Sequence, residues 1–176
     1  MNSLGAVTFA TQAFVTLFVI MDPPGATPIF LGLVGDKSPR ERVRLAWQAA
    51  GVSLFVIASF ALFGRFILDY MNVSIEALQA AGGLLLLYVA LQLLTGNKNT
   101  GTENASDNIG MVPLGTPLLA GPGAIVATMI YVQKADTNAQ ILGLVIAILA
   151  VHLIIGTVLM ASTKIVGLIK DSGVTL

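Results

Sequence analysis

The sequence predicts an all-α membrane protein, a polytopic helix bundle built from two inverted three-helix repeats. Three observations predict it. Of the 176 residues, 56% are hydrophobic and only 10% charged, with a mean hydropathy of +0.88. A soluble domain carries about 25% charged residues, so this chain cannot cover a water-facing surface. Apolar runs recur at the length of about 20 residues that crosses the hydrocarbon. Finally, the helix-breaking cluster Asp22-Pro23-Pro24-Gly25-Ala26, set inside an apolar run, is echoed by Gly121-Pro122-Gly123-Ala124.

The first apolar segment runs from Val7 to Val34 and is interrupted at Asp22 to Gly25. Proline lacks the backbone donor and clashes with the preceding turn, so a helix through Pro23-Pro24 must break or kink. The start of the chain has no basic n-region, and the first apolar run passes Phe30 without a small-residue cleavage site, so it is not expected to be a signal peptide. Ser38 with Glu41 three residues on, and Pro39 at the first helical position, reads as a capping box that starts a second helix. Its apolar body extends from about Leu45 to Leu68, with Trp47 near the interface. A third span covers about Ile75 to Leu94 and is rich in small residues from Ala77 to Gly83, which let backbones approach closely in lipid.

The polar loop 96–108 divides the chain into a first repeat, 1–95, and a second, 109–176. The second repeat holds a broken fourth segment, Ile109 to Val132, with Pro113, Pro117 and Pro122, and a fifth from about Ala139 to Leu168 that carries His152. From Gly25 to Gly123 the two triplets stand 98 residues apart, and that shift sets Val174-Thr175-Leu176 where Val73-Ser74-Ile75 opens the third helix. The sixth helix is therefore expected to be missing from this chain. With the loop after the first span cytoplasmic, that side collects Lys37, Arg40, Arg42, Arg44, Lys98, Lys164 and Lys170, against Arg65 and Lys134 opposite. The bias places the N-terminus outside. Three helices per half is an odd number, which inverts the second half.

Composition excludes several chemistries. There is no cysteine, hence no disulfide or thiolate chemistry. Nine basic residues against nine acidic give no excess suited to nucleic acid. One histidine and no paired carboxylates at metal spacing argue against an enzyme, and no metal site or cofactor is expected.

The runs Met21-Asp22-Pro23-Pro24-Gly25, Ala80-Ala81-Gly82-Gly83-Leu84 and Val112-Pro113-Leu114-Gly115-Thr116-Pro117-Leu118-Leu119-Ala120-Gly121-Pro122-Gly123-Ala124 resemble the MarC family of bacterial inner-membrane proteins. The resemblance covers essentially the whole chain, in order. It implies a six-helix protein of the bacterial inner membrane, some of whose members (the SnatA type) move small neutral amino acids such as glycine and alanine.

Such a substrate carries a carboxylate and an ammonium, both costly to desolvate. A half-helix beginning at Gly121-Pro122-Gly123 would offer the amides of Gly123, Ala124 and Ile125 to the carboxylate. In the first half, Asp22 is placed to cap the helix starting at Pro23 by accepting from the Gly25 amide. The alternative is that Asp22 holds the ammonium, a coupling proton or Na+. Pro24, Gly25, Thr27 and Thr128 complete the expected substrate-binding set, the threonines either offering hydroxyls or bonding back to a helix carbonyl. Thr116 is a further hydroxyl of that kind. Glu76 reads as a helix-dipole partner, Arg65 with Asp69 as an interfacial ion pair, and Gln79 and Gln92 as interhelical bonds or pore lining. His152 is either an interhelical hydrogen bond or a proton relay.

The expected function is a secondary transporter or exporter of small neutral amino acids. Alternatives are export of another small metabolite, as in LysE-like proteins, and a non-transporting structural or sensory role.

Overall fold

A computed structural model describes residues 3–94 and 119–172, without the side chains of residues 3–4, 65, 75, 85–86, 89–90, 92–94 and 163–172. Its helices are α1 (Ser3–Met21), α2 (Pro23–Val34), α3 (Pro39–Tyr70), α4 (Ile75–Leu94), α5 (Pro122–Lys134) and α6 (Asn138–Ser172). Three stretches, Gly5–Val34, Pro39–Gly64 and Asn138–Ser162, are long and apolar enough to cross a membrane. The fold is thus an all-α, multi-pass membrane bundle. Residues 95–118, with the polar loop, Pro113, Thr116 and Pro117, lie outside the described residues, as do the Arg65 and Gln92 side chains and the chain end at 173–176.

Local chemistry explains the boundaries. At the start of α3, the Ser38 amide donates to Glu41 Oε2 at 2.9 Å and the Glu41 amide to Ser38 Oγ at 3.4 Å, the reciprocal box expected from the sequence. The Arg42 guanidinium closes the preceding turn by donating to the carbonyls of Lys37 and Gly35, each at 2.8 Å. In that turn Lys37, 3.2 Å from Asp36, holds the Asp36 carboxyl below its ordinary range. The α3–α4 connector turns through Asn72 at φ 53°, a left-handed position that asparagine tolerates. Ser74 then caps α4 by accepting from the Ala77 amide at 3.2 Å.

Helix α6 is the axis of the bundle and packs against α1, α2 and α3. Leu144, Ala147, Ile148, Val151, Ile155 and Leu159 form its buried stripe at helical spacing. It meets Ala46, Ala49, Ala50 and Ile57 of α3, with Ala13 and Leu17 of α1 and Phe30 and Val34 of α2 in the same core. Lipid is as apolar as leucine, so the drive for this association is close van der Waals contact, favoured by small residues. Gly143 shows it: a Cβ there would stand 2.9 Å from Ala10 Cβ and 3.5 Å from the Ala6 carbonyl oxygen. Large apolar side chains such as Phe55, Leu62, Phe66, Leu87 and Leu153 point outward, as a lipid-facing surface requires.

Helix directions follow from the contacts. A Cβ on Gly156 would stand 2.6 Å from the Trp47 ring. Ser53 meets His152. As numbers rise along α3 they fall along α6, so the two are antiparallel. Helix α5 turns back into α6 through residues 135–137. The end of the bundle where α6 begins therefore also holds the C-terminal ends of α3 and α5 and the start of α4.

Candidate functional site

The first helix break is a single residue. Asp22 sits at φ 40°, ψ 66°, and the helical ladder resumes on either side of it. Its own amide donates to the Phe18 carbonyl at 3.1 Å, and the Ala26 amide donates to the Asp22 carbonyl at 2.9 Å. The carboxylate accepts from the Gly25 amide at 3.1 Å, the geometry of a helix cap. Gly25 leaves room for that cap: a Cβ there would overlap the carboxylate, with Asp22 Cγ only 2.7 Å away. Pro28 lies within α2 at the position that would normally donate to Pro24. Having no N–H, it leaves the Pro24 carbonyl without its helical donor. Thr27 Oγ1 donates to the Pro23 carbonyl at 3.0 Å, bonding back to its own helix.

The second break opens α5. Gly121 caps it in an extended conformation with no side-chain bond, and Pro122 occupies the first position. The amides of Ala124 and Ile125 both donate to the Gly121 carbonyl, at 2.9 and 3.2 Å. Two of the three amides expected to receive a carboxylate are thus already engaged by the backbone. Thr128, fully buried, donates to the Ala124 carbonyl at 2.8 Å.

A cavity of about 500 Å³ lies between α1, α4 and α5. Its lining is Phe9, Gln12, Thr16 and Ile20 of α1, Gln79, Gly82 and Gly83 of α4, and Gly123, Val126, Ala127, Ile130, Tyr131 and Lys134 of α5. On all three helices these residues descend from the end of the bundle where α4 begins and α5 ends. Their inner members are Ile20, two residues before Asp22, and Gly123, two after Gly121. The cavity therefore reaches both breaks. Thr16 Oγ1 and Tyr131 Oη share a hydrogen bond of 2.9 Å in its wall, and Phe9 meets the Tyr131 ring edge-on at 5.5 Å. Gln12 and Gln79 face it from opposite helices, and neither amide has a hydrogen-bond partner among the described residues.

Of the residues expected from sequence, Gly123 alone lines this cavity; Asp22, Pro24, Gly25, Thr27, Gly121, Pro122, Ala124 and Thr128 do not. Gln79 lines the cavity and makes no interhelical hydrogen bond among the described residues. Gln12, Thr16 and Tyr131 went unnoticed in the sequence, where their one signal is polarity inside otherwise apolar helices. His152 is not in the cavity. Its Nδ1 lies 2.7 Å from the Ile148 carbonyl, which only accepts, so Nδ1 carries the proton and Nε2 accepts from Ser53 Oγ at 3.2 Å. It is the interhelical hydrogen bond between α3 and α6. Among the described residues no cluster of three His, Cys, Asp or Glu side chains could hold a metal ion.

A bundle of apolar helices with lipid-facing flanks, around a largely apolar cavity that carries a few polar side chains, defines a multi-pass integral membrane protein. Residues 7–176 match the family described as MarC family integral membrane protein. The chain belongs to that family. It is 33% identical to a UPF0056 membrane protein of Methanocaldococcus jannaschii, covering 96% of this chain and 77% of that one. It is also 33% identical to one of Archaeoglobus fulgidus, covering 98% and 84%, and 32% identical to one of Buchnera aphidicola, covering 93% and 79%. These relatives are archaeal as well as bacterial, so family membership does not by itself assign the expected bacterial inner membrane. No solved structure matches the chain.

Proposed function

We propose that this protein is a secondary transporter of small neutral amino acids of the glycine and alanine type, and that its substrate path is the cavity between α1, α4 and α5. The observation that carries the reading is the pair of amides, Gln12 and Gln79, that face one cavity from α1 and α4 without a partner among the described residues. A polar group without a partner is expensive in lipid, so such a cavity serves water or a polar solute. Its inner end reaches both helix breaks. There Gly123 gives backbone access; the Pro24 carbonyl, which lacks its helical donor, belongs to the first break but lies outside the cavity lining. Asp22, Gly25, Thr27, Gly121, Pro122, Ala124 and Thr128 shape those breaks. A proton or Na+ would be the coupling ion.

The reading includes two inverted repeats, 1–95 and 109–176, with the N-terminus outside. The antiparallel course of α3 and α6 supports it. So does the Ser53–His152 contact: the pair is 99 residues apart, beside the 98-residue shift of the two Pro-Gly-Ala triplets. In an inverted repeat, residues that meet their own equivalents lie on the pseudo-twofold axis. A structural or sensory role gives no reason for a cavity that gathers Gln12, Thr16, Gln79 and Tyr131 and ends at two breaks.

The test is uptake of labelled alanine and glycine into proteoliposomes holding the purified protein. Saturable flux, competed by small neutral amino acids and not by other small metabolites, is expected. Flux absent under every imposed gradient would sink the reading, and competition by another solute class would redirect it to a different exporter.

A further inference from the structure

The cavity has a chemical polarity that the fold alone does not require. Its lining contains no carboxylate among the described residues, and its one charged residue is Lys134, at the outer end of α5. Among the described residues Lys134 has no carboxylate within 4.0 Å, and the ion pair found there is Lys37–Asp36. A lysine in the last turn complements the helix dipole, which accounts for a cation at this place in α5. It does not account for Gln12 and Gln79 facing the same space from α1 and α4, each with an amide that can both donate and accept.

From Lys134 to Gly123 the lining of α5 runs eleven positions, roughly 16 Å at the rise of a helix. A small solute therefore cannot touch both ends at once and meets Lys134 first. Next come the amides of Gln12 and Gln79 and the Thr16–Tyr131 hydroxyl pair, and then the breaks. Asp69, Glu76 and Asp136 are exposed at the same end of the bundle but do not line the cavity, so within the wall the one cation among the described residues, Lys134, favours a carboxylate over a free amine.

We propose that Lys134, with Gln12 and Gln79, is the selectivity element of this cavity, admitting small solutes that carry a carboxylate and rejecting those that carry only a cation. This rests on the cavity being the transport path. An ammonium in a zwitterion is tolerated because its own carboxylate accompanies it past Lys134.

The experiment compares uptake of alanine and alaninamide by proteoliposomes of the wild type, Lys134→Gln, Lys134→Glu and Lys134→Arg, with thermal unfolding in detergent as the control for folding. The wild type is expected to take up alanine and not alaninamide. K134Q should raise the KM for alanine by about five- to tenfold, the scale of a partly exposed charge-assisted contact, with little change in kcat. K134E should raise it further, and K134R should restore it. Equal handling of both solutes by the wild type, or an unchanged KM in K134Q and K134E, overturns the proposal while leaving alanine transport intact. Absence of any alanine flux in the wild type overturns both.

Discussion

Ser53 Oγ and His152 Nε2 stand 3.2 Å apart in the buried seam between α3 and α6. Because the Ile148 carbonyl fixes the imidazole tautomer, the serine must donate. Ser53→Ala removes that donor and leaves Nε2 without a partner in an apolar surround. Interhelical bonds in membranes are worth less than isolation in hydrocarbon suggests, so the expected loss is about 0.5–1.5 kcal/mol. A double-mutant cycle with His152→Phe, read by unfolding in mixed micelles, should return a coupling of that size. Zero coupling would mean that the two helices hold together by packing alone.

Asp22 gives the second prediction, because its two expected roles part on one substitution. The carboxylate caps α2 through the Gly25 amide, and the residue occupies a left-handed backbone position. Asparagine keeps the acceptor oxygen and tolerates that backbone. Asp22→Asn should therefore retain stability and alanine uptake. Asp22→Ala loses the cap, about 1 kcal/mol, and adds the strain of a non-glycine left-handed residue, roughly another 1–2 kcal/mol. If D22N keeps its melting temperature yet abolishes flux, Asp22 is a charge carrier and the cap is incidental.

The fold was legible where chemistry is local. Ser38 and Glu41 announced their capping box, Pro23 and Pro122 their helix starts, and the hydrophobic runs their spans. The site was legible only in part, and Gly123 shows why. Proline and glycine mark where a helix breaks, but not which faces of other helices meet beside the break. Gln12, Thr16 and Tyr131 lie on helices whose apolar residues surround them almost evenly, so no periodicity singles out a cavity-facing side. They become a set only when α1 and α5 pack and bring Thr16 within 2.9 Å of Tyr131, 115 residues away. Of the amides expected at the start of α5, those of Ala124 and Ile125 donate to the Gly121 carbonyl, a backbone geometry that residue type alone does not reveal.

Gly143 is the point where α6 approaches α1 most revealingly, because part of what a side chain would meet is backbone. A Cβ at 2.9 Å from Ala10 Cβ and 3.5 Å from the Ala6 carbonyl oxygen has no flexible neighbour to displace. Gly143→Val should destabilise the bundle by about 1–3 kcal/mol, the range for overpacking a close contact. The measurement is thermal unfolding. Gly51, where nothing lies within 4 Å, is the control, and Gly51→Ala should be neutral or slightly stabilising because alanine is the better helix former.

Adjacent glycines of α4 separate packing from passage. A Cβ on Gly82 would stand 2.5 Å from Val126 Cγ1, so Gly82→Leu forces α4 away from α5. Gly83 has nothing within 4 Å of the same position, yet it lines the cavity. A Cβ at Gly83 therefore meets open space, and a leucine there extends from the cavity wall while removing a helix-interior glycine, a change worth up to about 1 kcal/mol in favour of the helix. Gly83→Leu should fold with an unchanged or raised melting temperature while cutting alanine flux at least tenfold, because the side chain occupies the path. Gly82→Leu should lose stability and flux together. If G83L folds normally and transports at the wild-type rate, the space between α1, α4 and α5 is not the route, and the solute must pass along another face of the two breaks.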